Sequence, residues 1–106
     1  GKFPLWISPS QVKILTVADR HLDYAKDIRK KMKKEGLMVE IDSRAETIPK
    51  KVRDAQLERC NYILVVGDKE LENSTVTVRT RDGNVEGALD SQAFIKRLLK
   101  EIREKK

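Results

Sequence analysis

The 106-residue chain has one cysteine, one histidine, five glycines and three prolines, and only 5% of its residues are aromatic. A lone Cys60 excludes an internal disulfide, although small secreted scaffolds of this size are normally stapled by several. This usage points to a reducing compartment, and the expected location is the cytoplasm. Cys60 and His21 lie far apart, and neither has a Cys or His neighbour at short spacing. No zinc set of three or four ligands follows, and no metal is expected. Cys60 reads as a plain half-buried thiol before an apolar run, and His21 as a surface or capping residue at a helix start. Neither suits catalysis, so no catalytic residue is assigned. There is no apolar run of about 20 residues to cross a membrane and no leader with a small-residue cleavage site. The scarcity of glycine matters as well. The turn Ala18-Asp19-Arg20-His21 contains none, and no GxxxxGK[ST] occurs, so this domain is expected to take no nucleotide cofactor.

Charge is what the chain has in abundance. Charged residues make up 38% of it, against about 25% in an average domain. The net charge of +6 is one-sided, since residues 1–53 carry 13 Lys and Arg against 7 acids, and residues 54–106 carry 10 of each. Most of the surplus lies in Lys26, Arg29, Lys30, Lys31, Lys33 and Lys34, with a smaller group at Arg44, Lys50, Lys51 and Arg53. A basic half joined to a neutral half is the electrostatic footprint of nucleic-acid binding, with Lys30, Lys31, Lys34, Lys50 and Lys51 as candidate phosphate contacts. The same residues also describe an ordinary solvated helix face. The Lys-rich segment lacks the broad Trp/Phe/Leu face that membrane-surface helices need. No membrane partner is expected.

The hydrophobic pattern predicts β-α-β-α-β followed by a hairpin and a terminal helix. Val12–Val17 reads as a buried strand, and Leu22, Ala25, Ile28 and Met32 recur at helical spacing between an Asp19 cap and Gly36. Met38–Asp42 alternates as a second strand, and Pro49 opens a helix running to about Arg59. Tyr62–Val66 is apolar throughout, as expected of a strand covered on both faces. Thr75–Thr80 and Val85–Leu89 flank an Asp82-Gly83-Asn84 turn. Asp90 or Ser91 then caps a helix whose stripe is Phe94, Ile95, Leu98, Leu99 and Ile102. The expected fold is a single three-layer α/β/α domain over residues 1–106 with a mixed five-stranded sheet, in the order β-α-β-α-β-β-β-α. The helix-joined strands should be parallel. One domain of this length leaves no room for separate cofactor and substrate domains.

Ligands of open α/β sheets lie beyond the carboxyl ends of the strands. Gly67-Asp68-Lys69-Glu70 follows the third strand there, beside Val17-Ala18-Asp19 and Asp42-Ser43-Arg44. A polar turn explains the same residues without a ligand. A phospho-acceptor receiver domain is disfavoured, because Asp19 lacks an adjacent acid and the βα alternation ends after strand three. Arg79 and Arg81 share one strand face by their period of two. Paired arginines there suit bidentate contacts to phosphate or to the bases of single-stranded RNA.

The segments Phe3–Val12 (FPLWISPSQV), Lys51–Gln56 (KVRDAQ), Tyr62–Glu70 (YILVVGDKE) and Thr75–Arg81 (TVTVRTR) together resemble the C-terminal anticodon-binding domain of threonyl-tRNA synthetases. The likeness covers essentially the whole chain in order. The wider group includes the histidyl, prolyl and glycyl enzymes, whose anticodon-binding domain is one alternative. A stand-alone accessory module binding RNA or protein is the other. The resemblance implies the same five-stranded fold and recognition of the anticodon loop of threonine tRNA, with Glu70 and Arg79 reading bases. It further implies that Arg53 and Val17 touch the loop by charge and by packing against a base, with Lys69 and Arg81 as further contacts. Ala45 stands where many bacterial members have Asn, so it is not carried over. The resemblance makes residues 1–11 a junction to a catalytic core absent from this chain. On that view the domain performs no catalysis of its own. ATP, magnesium and zinc belong to the parent threonine–tRNA ligase, the parent is a homodimer and the isolated domain a monomer.

Overall fold

Val12–Thr16 forms strand β1 with buried side chains on both faces, because helices cover it from either side. The computed structural model describes residues 12–80 and 84–104. Residues 1–11 and Arg81, together with the Ile102 side chain, fall outside that set. A 3₁₀ turn (Asp19–His21) leads into helix α1 (Leu22–Lys34), then β2 (Val39–Asp42), α2 (Ile48–Leu57) and β3 (Tyr62–Val66). A short α3 (Asp68–Asn73), the hairpin β4 (Thr75–Thr80) and β5 (Val85–Asp90), and α4 (Ser91–Arg103) complete the described chain. The sheet order is β2-β1-β3-β4-β5. β1 pairs parallel with β2 and β3, and β4 runs antiparallel to both β3 and β5. The mixed five-stranded sheet expected from the hydrophobic pattern is therefore present.

The two sheet faces are covered unequally. On one, α1 (Ala25, Ile28, Met32) and α4 (Phe94, Ile95, Leu98) bury residues from β1, β2, β3 and β4. On the other, α2 contributes Val52 and Ala55 against Leu15, Ile63 and Cys60, with Val65 at the margin. No residue of β4 or β5 belongs to that second core. The outward positions of β4, Thr75, Thr77 and Arg79, are consequently only half-buried. This leaves an open shelf beside α2 on an otherwise three-layer domain.

Capping accounts for the helix ends. Thr47 Oγ1 accepts from Lys50 N–H, and Pro49 sits in the first turn of α2, where its missing donor costs nothing. Asp90 caps α4 by accepting from Ala93 N–H. Two features differ from expectation. α3 occupies what reads as a polar turn, since six residues offer no apolar periodicity. Its start is held by Glu70 Oε1, which accepts from Gly67 N–H at 2.8 Å. The expected Asp19 cap is also absent, and His21 does that work from a fully buried position. His21 Nδ1 accepts from Ala18 N–H at 3.0 Å.

That geometry leaves Nε2 to donate to Asp68 Oδ1 at 2.7 Å, while Arg20 grips the same carboxylate with two bonds of 2.9 and 2.7 Å. The clasp ties the turn after β1 to the start of α3. Arg20 first, and His21 second, hold the Asp68 carboxyl well below its ordinary value of 3.8. A depressed folded-state value contributes stability above the ordinary value and loses it as pH falls through the folded one. The stability gap between the wild type and Asp68→Asn is thus expected to be flat at neutral pH and to narrow only on the acid side of 3.8. Urea unfolding across a pH series checks this, and a gap that stays constant into the acid limb would refute the clasp. In the core, Leu98→Ala is expected to cost about 2–5 kcal/mol, read as a lower urea midpoint at unchanged slope. Leu57, which is 73% exposed, should tolerate Ala within about 0.5 kcal/mol.

Candidate nucleic-acid interface

The carboxyl ends of β1 and β3 bring Val17, Lys69 and Glu70 together at one rim. Val17 is 52% exposed, an apolar side chain left in solvent where the strand ends. Gly67 allows this proximity by its lack of a side chain. A Cβ there would stand 3.1 Å from Val17 Cγ2 and 3.3 Å from Glu70 Oε1. With Glu70 Oε1 committed to the Gly67 amide, its second oxygen has no partner among the described residues and can accept from a ligand. Lys69 is exposed on the first turn of α3.

Arg79 belongs to the shelf rather than to the rim. It pairs across the sheet with Ile63, four residues before Gly67, or roughly 13 Å along the strand. Thr77 lies above it on the same face, opposite Ala88 of β5. Arg53 is exposed on α2, the helix bordering the shelf. Arg79, Arg53 and Lys69 have no ion-pair or hydrogen-bond partner among the described residues. They differ in this from Arg20, Arg44 and Arg97, which are tied to Asp68, to Asp42 and Asp54, and to Glu86. Shelf and rim together therefore offer unspent donors from three elements and one free carboxylate oxygen. Base edges are read by groups of this kind, Arg donating to guanine acceptors and Glu accepting from amino groups.

The other basic candidates are dispersed. α1 begins at the rim and runs away from it for about 20 Å, so Lys30, Lys31 and Lys34 lie progressively farther from Val17 and Glu70. Lys33 and Gly36, at its far end, border a cavity with Val12 and Glu40 at the amino ends of the strands. Lys31 pairs with Asp27 at 3.3 Å, whereas Lys30 and Lys34 have no partner among the described residues. Lys50 is exposed and pairs with Glu46 at 3.5 Å. Lys51 corrects the charge-based assignment. It is 2% exposed, and its ammonium donates to the Thr16 carbonyl at 2.8 Å, so no solvent-facing phosphate contact is available to it. At one residue past Lys50, the helical turn directs it into the domain rather than outward. A basic cluster in a sequence does not by itself reveal which member faces inward.

Asp42 and Arg44 form a strap from the end of β2 to α2. Asp42, 6% exposed, accepts two bonds from the Arg44 guanidinium, which also reaches Asp54 at 2.8 Å. Arg44, despite the opposing effect of burial, holds the Asp42 carboxyl below the usual carboxylate range. Cys60 is 2% exposed rather than half-buried, and burial pushes its thiol up to about 11, away from any nucleophilic role. No group of three metal-ligating side chains occurs among the described residues, and none of their helices is long and apolar enough to cross a membrane.

Residues 11–101 match the model of the family described as the anticodon binding domain. The chain is 51% identical over 98 residues to the threonine–tRNA ligase of Protochlamydia amoebophila, covering 92% of this chain and 15% of that protein. It is 50% identical to a Clostridium botulinum threonine–tRNA ligase, over 96% of the chain and 16% of the ligase. Among solved structures, the RNA binding domain of threonyl-tRNA synthetase from Cryptosporidium parvum Iowa II superposes with a TM-score of 0.89 at 35% identity. That likeness covers 95% of this chain and 26% of the other. The chain thus spans a small fraction of the ligases it matches. With its fold, its open shelf and these relatives in agreement, the chain belongs to the anticodon binding domain family, in the branch carried by threonyl-tRNA synthetases.

Proposed function

We propose that the chain reads the anticodon loop of threonine tRNAs for a threonine–tRNA ligase, without chemistry of its own. The observation that carries this reading is the set of Arg79, Arg53 and Lys69, unpaired among the described residues, with Glu70 around one open sheet surface, in a chain of this family. Single-stranded loop bases can be splayed onto such a surface and hydrogen-bonded along their edges. Arg79 donates to a guanine, Glu70 accepts from a base through its second oxygen, and the exposed Val17 packs against a base face. Arg53 and Lys69 contact phosphate, as does Arg81, which lies outside the described residues. Base contacts supply specificity and phosphate contacts supply general affinity.

The domain works in the cytoplasm as a monomeric unit attached to the catalytic domain of a homodimeric ligase, and uses no cofactor itself. ATP, magnesium and zinc serve the rest of that enzyme. Lys30 and Lys34, distant from the rim, act through their field on any nearby phosphate.

Arg79→Ala is expected to reduce discrimination between the cognate anticodon stem-loop and an anticodon-swapped one by about 1–3 kcal/mol. An unchanged ratio in filter binding or fluorescence anisotropy rules out the base-reading role. Lys30→Ala with Lys34→Ala should weaken binding to both RNAs equally. It should also flatten the dependence of log K on log salt. A change in the ratio instead would place these lysines among the specificity residues. Equal wild-type affinity for both stem-loops favours a stand-alone module that binds RNA generically.

A further inference from the structure

We propose that Lys51 is a positioning residue for RNA recognition, its buried ammonium fixing the carboxyl end of β1 so that Val17 is presented in one conformation. The proposal rests on the anticodon-reading role given above. Lys51 reaches from α2 under the rim and donates 2.8 Å to the carbonyl of Thr16, the last residue of β1. It forms part of the lining of a cavity of about 300 Å³ between the turn after β1 and the turn after β2.

Stability alone does not account for this lysine. Withdrawing an ammonium from water costs far more than one bond to a neutral carbonyl returns. The nearby Asp42 offers attraction, but its carboxylate is already gripped by Arg44 through both oxygens. An apolar side chain of similar length would fill the same space without that desolvation.

What the ammonium does accomplish is local. On the far side of Val17, the Ala18 amide is bound by His21 Nδ1, whose ring is locked by Asp68. The Val17 amide itself donates to Val66 O at 3.1 Å. Val17 is therefore exposed while its own amide and both neighbouring residues are tied by polar groups. Its β-branched side chain is stiff about χ1 as well. The result is a small apolar platform ordered before RNA arrives, which removes that ordering cost from binding. Among these polar ties Lys51 supplies the one that comes from α2, so it couples the platform to the helix carrying Arg53.

Lys51→Met keeps an unbranched side chain, one atom shorter, and removes its charge. The 106-residue variant would be titrated with cognate and anticodon-swapped stem-loops over a salt series, alongside a thermal melt. The melt is expected to move little, because the Thr16 carbonyl left without its donor offsets the desolvation relieved, and the cognate preference should fall roughly fivefold or more, the lower end of one base contact. The slope of log K against log salt should stay at its wild-type value. An unchanged preference overturns the proposal. So does a slope reduced by about 0.7, the mark of a lost phosphate contact. Should the variant melt lower, Val52→Ala on the same helix provides a destabilised comparison that leaves the Thr16 bond in place. Equal loss of preference in that variant would also overturn the proposal. A wild-type chain that does not discriminate overturns the anticodon reading, whereas a discriminating wild type with an equally discriminating Lys51→Met overturns this inference alone.

Discussion

The carboxyl end of β1 must turn sharply out of the sheet while still surrounded by packed elements, and its backbone cannot rely on the ladder once the strand stops. Buried peptide groups need partners, and here one comes from the Val66 carbonyl of β3 and two from the side chains of different segments. Lys51 meets the Thr16 carbonyl, His21 meets the Ala18 amide, and Asp68 locks the histidine that does so. The same interactions join β1 to α2 and to α3. They set the spacing between Val17, Glu70 and Arg53, none of which touches another through a bond given by the fold alone. Satisfying the backbone and arranging the surface are one event at this rim.

The second determinant is unequal coverage of the sheet. Two helices close one face and a single ten-residue helix closes part of the other. A five-stranded sheet is wider than one helix can cover, since strands stand about 4.8 Å apart and a helix with its side chains is only about 10 Å across. β4 and β5 are therefore left open on that side. The residues there must tolerate water, and Thr75, Thr77 and Arg79 alternate with the buried Val76 and Val78 as that requires. Arg79 is available to a ligand because no helix was placed over it.

Much of this was legible before the structure. Continuous apolar runs marked β1 and β3, which are buried on both faces, and strict alternation marked β4 as half-covered. Residue periodicity located α1 and α4 by Ala25, Ile28, Met32, Phe94 and Leu98, all of which are buried. Local patterns failed where the decisive interaction was nonlocal. His21 binds Asp68 across 47 positions and Lys51 binds Thr16 across 35, so nothing adjacent to either residue reveals that it is buried. α3 was hidden for a different reason. It is too short for a hydrophobic period and is started by a Gly67–Glu70 pairing that resembles a capping box, which is its one sequence signal.

The placement of charge follows from the same nonlocal constraint. By sequence, the surplus of +6 belongs to the first half of the chain, on α1 and the start of α2. In the fold, α1 carries its lysines away from the rim, Lys31 and Lys50 are paired locally, and Lys51 is withdrawn from solvent. The cations of the shelf and rim that are unpaired among the described residues, Arg53, Arg79 and Lys69, number fewer and come partly from the neutral half. A field spread over one side draws a polyanion regardless of its sequence and weakens as salt is added. Donors fixed on strands and on a braced helix discriminate only when the surface holding them does not move. Lys51 contributes to neither as a free cation. Its charge is spent inside the domain on the geometry that the exposed residues require, so counting it with the basic patch misplaces its role.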